Sequence, residues 1–142
     1  MYIFDNLPKN KQIILFDGVC NFCNASVLKV IKYDKTNIFL FASLQSDTGK
    51  KITNHFKIDT KKVDSIILIE SKTNFYIKST AALKIAKHFR GFWVLFQFFW
   101  ILPTSFRDFF YSYIAKNRYK WFGKKESCMI PTLELKSKFI DL

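Results

Sequence analysis

The regular pattern opens with an unbroken apolar run, Gln12-Ile13-Ile14-Leu15-Phe16, which stops at Asp17-Gly18 and reads as a buried strand entering a turn. Val27, Leu28, Val30 and Ile31 then recur at helical spacing over 21–33, and Asp34-Lys35-Thr36-Asn37 ends them. Ile38-Phe39-Leu40-Phe41-Ala42 predicts a second buried strand. The polar stretch 45–56, with few apolar anchors, is read as a helix. Ser65 to Glu70 predicts a third strand, Ser71 to Asn74 a turn, and Phe75 to Lys78 a fourth strand closing a hairpin. Ser79 or Thr80 is expected to cap a helix running through Ala81, Ala82, Leu83, Ile85, Ala86 and Phe89.

That order defines an α/β class. Strand, helix and strand form a βαβ unit, and the hairpin adds antiparallel strands, giving a central mixed sheet of about four strands flanked by helices. No linker or repeat divides the chain, so residues 1–142 are expected to form one domain, with a core over 11–90 and a helical extension over 91–135.

After Gly91 the character changes. Phe92 to Leu102 holds one polar residue, Gln97, and as a helix would rise only about 16 Å, half of a bilayer's hydrocarbon thickness. Two readings stand: a hydrophobic helix packed on the domain, or an interfacial anchor making weak peripheral contact with a membrane. Pro103 interrupts, and Ser105-Phe106-Arg107-Asp108 has the form of a capping box. Phe106, Phe109, Phe110, Tyr113 and Ile114 line one stripe, expected to be core. Arg118, Lys120, Lys124 and Lys125 suit the negative end of that helix, Gly123 would stop it, and the tail from Lys136 is expected to fray.

Charge changes this picture little. The net charge is +12, but the lysines are spread from Lys9 to Lys138 and no base-reading motif accompanies them, so a solvated basic surface is preferred to nucleic-acid binding. Hydrophobic residues make up 49% and charged residues 24%, which excludes a disordered chain. The N-terminal residues carry no secretory pattern, and three cysteines are too few for a secreted disulfide framework. A cytoplasmic protein is expected, in which a close cysteine pair is redox-active or metal-binding.

The chemistry concentrates in Asp17-Gly18-Val19-Cys20-Asn21-Phe22-Cys23. A Cys-x-x-Cys over the first helical turn lets the two sulfurs reach disulfide distance, while free backbone N–H groups and the helix dipole favour a thiolate. Cys20, at the helix mouth, is assigned as nucleophile and Cys23, one turn inside, as resolving thiol. Asp17 is a candidate proton acceptor for Cys23 if burial raises its basicity; it also fits a turn or capping carboxylate. Val19, Phe22 and Ser65 are the candidate substrate contacts. Cys128 is either a third redox thiol or a small apolar filler. His55 and His88 have no partner spacing and are expected at or near the surface.

This segment resembles the Asp-x-x-Cys-x-x-Cys signature of the DCC family of thiol–disulfide oxidoreductases. Asp64-Ser65-Ile66-Ile67-Leu68-Ile69, Ser79-Thr80-Ala81-Ala82-Leu83, and Arg118 to Lys125 followed by Cys128 and Pro131 are similar to the family's later motifs. The resemblance spans about residues 12 to 133 and implies a thioredoxin-like fold and dithiol–disulfide exchange. The place where thioredoxins carry a cis-proline falls near Val63-Asp64-Ser65 and holds no proline; the resemblance implies Ser65 as the residue that would stand there.

The expected activity is that of a protein-disulfide reductase. Its partners would be a disulfide-containing protein or small thiol and an electron-donating dithiol, without a cofactor or nucleic acid. Two alternatives remain open: a soft-metal carrier holding Cu(I) or Zn on the same cysteines, and a redox-sensing interaction module. Val19, where small copper carriers usually have Met, and Asp17 speak against the first.

Overall fold

The computed structural model describes residues 10–17, 21–34, 37–60, 66–71, 73–88, 97–122 and 138–140, with backbone alone for 21–23, 118–119 and 122. Eight elements follow one another: β1 (Gln12–Phe16), α1 (Asn21–Tyr33), β2 (Phe39–Ser43), α2 (Asp47–His55), β3 (Ile67–Ile69), β4 (Phe75–Ile77), α3 (Lys78–Ala86) and α4 (Thr104–Phe122).

The strands form one mixed sheet in the order β2-β1-β3-β4. β1 runs parallel to β2, with Ile14 opposite Phe41, and antiparallel to β3, with Ile14 opposite Leu68; β3 and β4 form the expected hairpin. Alternate residues of a strand face opposite sides. Ile14 and Phe16 therefore pack with Val27 and Val30 of α1 and Ala81, Ile85 and Ala86 of α3. Ile13 and Leu15 pack on the other face with Ile52 of α2. With both faces covered, β1 can be apolar throughout, which is why it shows as an unbroken run. Asp34 closes the turn from α1 to β2 by accepting from the Ile38 and Phe39 amides at 3.1 and 2.9 Å.

Five expectations about local structure are corrected. α3 begins at Lys78 after Ile77, with no side-chain cap, and neither Ser79 nor Thr80 plays that part; the Ser79 hydroxyl instead donates to Asp108 Oδ1 of α4. The capping box at Ser105 does not form either, because the helix already starts at Thr104 and the Phe106 and Arg107 amides donate to the Pro103 carbonyl. Of the segment Phe92–Leu102, residues 92–96 lie outside the described residues, while 97–101 form a 3₁₀ turn rather than a packed α-helix, with Phe98, Phe99, Trp100 and Ile101 exposed.

The fourth correction concerns the aromatic stripe of α4, which is not core. Phe106, Phe109, Phe110, Tyr113 and Ile114 all face solvent, while Arg107 is buried and the polar side of the helix is held against the domain. α4 packs on α3 and α1, the Ser79–Asp108 bond fixes one turn, and the Tyr111 hydroxyl accepts from the Ile66 amide at 3.3 Å. The fifth is the tail. Residues 138–140 pair with the outer edge of β2, with the Phe41 amide donating to the Lys138 carbonyl at 2.8 Å and the Ile140 amide to the Phe41 carbonyl at 2.9 Å. Phe139 is buried there against Phe16 and Phe41.

Candidate functional site

Parallel pairing brings the carboxyl ends of β1 and β2 to the same edge of the sheet, and antiparallel pairing brings the start of β3 there too. Asp17 follows the last residue of β1 at this edge, and the chain then enters α1 at Asn21. Cys23 lies in the first turn of that helix, which has no acidic side chain in its opening turn. A helix start of this kind stabilises negative charge through its free amides and its dipole.

Asp17 is buried, with 7% of its surface exposed. Its Oδ1 accepts from Gln45 Nε2 at 2.8 Å. Gln45 lies just beyond β2, and the turn around it fixes its amide. Ser43 Oγ donates to Gln45 Oε1 at 2.5 Å, and the Gln45 amide N–H donates back to Ser43 Oγ at 3.2 Å. With the amide oxygen engaged by a hydroxyl, the NH₂ end is the one turned to the carboxylate.

The same turn is fastened on both sides. The Leu44 amide donates to the Phe16 carbonyl at 2.8 Å, tying it to the end of β1. Ser46 caps α2, accepting from the Gly49 amide at 3.0 Å and donating to the Ser43 carbonyl at 2.7 Å. Gly49 is required by close approach: a Cβ there would stand 2.1 Å from the Ser43 carbonyl oxygen.

Of the residues singled out in the sequence, Asp17 is at the sheet edge as expected, and Phe22 and Cys23 lie on the first turn of α1. Cys20, Val19, Ser65 and Cys128 lie outside the described residues, as do the side chains of Phe22 and Cys23. His55 and His88 are exposed. Sequence reasoning missed Gln45 and Ser43. A lone glutamine after a strand carries no signal by itself, but parallel pairing of β1 with β2 implies that residues just past their ends become neighbours.

A mixed sheet in the order β2-β1-β3-β4, with α1 and α3 on one face, α2 on the other and a Cys-x-x-Cys at the first strand-to-helix turn, defines a thioredoxin-like α/β protein. The chain belongs to the DCC1-like thiol-disulfide oxidoreductase family, whose model matches residues 14–124. It is 47% identical over 129 residues to the uncharacterized protein YuxK of Bacillus subtilis, covering 91% of this chain and 93% of that one. It is also 40% identical over 119 residues to a chloroplastic DCC family protein of Arabidopsis thaliana, covering 83% of this chain and 69% of that one. No solved structure matches. Among the described residues, no helix is long and apolar enough to cross a membrane.

Proposed function

We propose that the protein is a dithiol–disulfide oxidoreductase of the protein-disulfide reductase type, working through Cys20 and Cys23 with Asp17 as proton acceptor. The observation that supports this reading is the buried Asp17 carboxylate, held by Gln45 at the edge from which α1 and its cysteine turn depart. Membership of the family supports the reaction class.

In the proposed cycle the Cys20 thiolate attacks one sulfur of a substrate disulfide. The substrate S–S bond breaks, a mixed disulfide forms on Cys20, and the first substrate sulfur leaves as a thiolate that takes a proton. Cys23 then gives its proton to Asp17, directly or through water, and its thiolate attacks Cys20 Sγ. The Cys20–Cys23 disulfide forms as the second substrate sulfur leaves. Two electrons have passed to the substrate, and an external dithiol returns them by the reverse exchange. The proposed setting is the reducing cytoplasm, where such a donor pool exists. Val19, Phe22 and Ser65 are proposed to contact the substrate chain around the cysteines.

Trapping tests this assignment. Cys23→Ser should accumulate a mixed disulfide between Cys20 and a disulfide-containing protein, visible by non-reducing electrophoresis and mass spectrometry, while Cys20→Ser should accumulate none. Trapping on Cys20→Ser instead would reverse the two roles, and trapping on neither would remove the reductase reading.

A further inference from the structure

The outward face of α4 and the 3₁₀ turn before it form one aromatic surface. Phe98, Phe99, Trp100 and Ile101 lead into Phe106, Phe109, Phe110, Tyr113, Ile114 and Trp121, all exposed, with Ile101 at 81% and Phe109 at 69%. The face is ordered rather than loose. Phe106 and Phe110 meet edge to face at 5.0 Å, Tyr113 and Trp121 at 5.8 Å, and the Arg107 guanidinium lies 5.0 Å from the Trp100 ring centre, joining the turn to the helix. The polar side of α4 is already committed inward through Asp108 and Tyr111, so the helix has no rotation that would hide these rings. An apolar surface of this extent marks an interaction site.

Charge selects the occupant. The chain carries +12, and exposed Lys116 and Lys120 follow the aromatic residues along the same helix, turned to the side that Phe109 and Tyr113 face. Beside Trp100, Arg107 is buried, its Nη2 donating to Thr104 Oγ1 at 3.0 Å, which fixes the turn against the helix. Exposed cations flanking an aromatic patch favour an anionic partner, and a second +12 copy would bring repulsion instead. Trp, Tyr and Phe are the side chains that settle at headgroup level, with lysines reaching past them to the phosphates.

We propose that this face docks the protein on the surface of an anionic lipid bilayer, with α4 lying in the interfacial plane. The contact is peripheral, since no described helix is long and apolar enough to span. It carries onto α4 the interfacial alternative raised for Phe92–Leu102, of which residues 97–102 are described, and is independent of the thiol chemistry.

Vesicle flotation of the full chain tests it. Vesicles of phosphatidylcholine with about a third phosphatidylglycerol should carry the protein upward, whereas pure phosphatidylcholine should carry far less, and added salt should release it. Phe109→Ser with Phe110→Ser should abolish flotation, and Lys116→Ala with Lys120→Ala should weaken binding roughly thirtyfold. Both variants should keep the wild-type circular dichroism and thermal melt. Absence of flotation with folded wild-type protein overturns the proposal. So does a concentration-dependent dimer dissolved by the same phenylalanine substitutions, which would assign the face to self-association.

Discussion

Gln45 Nε2 donates to Asp17 Oδ1 across 2.8 Å, joining the residue that follows β1 to one just past its parallel neighbour β2. A hydrogen bond to a buried carboxylate is worth about 1.5–3 kcal/mol. Gln45 itself is exposed, so a value near 1 kcal/mol, about fivefold in rate, is the appropriate expectation for its effect through Asp17. Gln45→Leu should slow resolution of a pre-formed mixed disulfide by that factor and leave the initial attack by Cys20 unchanged. Quenched-flow measurement of the two steps separates them, and equal slowing of both would show that Gln45 supports the fold rather than Asp17.

Asp17→Asn keeps the shape and the Gln45 contact within reach but removes the proton acceptor. General-base assistance contributes about 10²-fold or more, so the resolving step should fall by that order while the protein stays folded. An unchanged rate in the same assay would return Asp17 to the role of a turn carboxylate.

Gly49 has a purely steric task. Gly49→Ala pushes a Cβ onto the Ser43 carbonyl oxygen, and backbone on both sides must shift. A loss of about 3 kcal/mol is expected, read as a fall of roughly 10 °C in melting temperature. Because Ser43 orients Gln45, the folded fraction of this variant should also show slower resolution. A melt within a degree or two of wild type would contradict the close approach.

Phe139 gives the tail a measurable weight. It packs on Phe16 at 6.1 Å and Phe41 at 5.7 Å between ring centres, and its neighbours pair with β2. Phe139→Ala should cost about 3 kcal/mol and lower the urea midpoint correspondingly. A frayed tail would leave the midpoint unmoved.

The sequence made the central elements legible to the residue. The apolar run 12–16 and the periodic stretch 21–33 coincide with β1 and α1, because one strand is buried on both faces and one helix has a single buried side. The polar segment 45–56 also resolved into α2, Asp47–His55. What failed was the direction of the α4 stripe. Periodicity reports that one side of a helix is apolar, and core is only the commonest place for it. Here Asp108 and Tyr111 anchor the opposite side by hydrogen bonds to Ser79 and Ile66, contacts remote in sequence. The Ser105 box and the Ser79 cap failed for a related reason: both serine-led patterns sit one or two residues inside their helices. Asp17 was legible from its place before the cysteine motif, whereas Gln45 depended on strand pairing.

The most direct test of the central claim is free-thiol mass labelling across a glutathione redox titration, with wild type beside Cys20→Ser and Cys23→Ser. A reversible Cys20–Cys23 pair with a midpoint within the cellular range, lost in both variants, is the predicted result. A pair that stays reduced throughout, or thiols shielded by bound copper or zinc, would contradict dithiol–disulfide exchange as the work of this site.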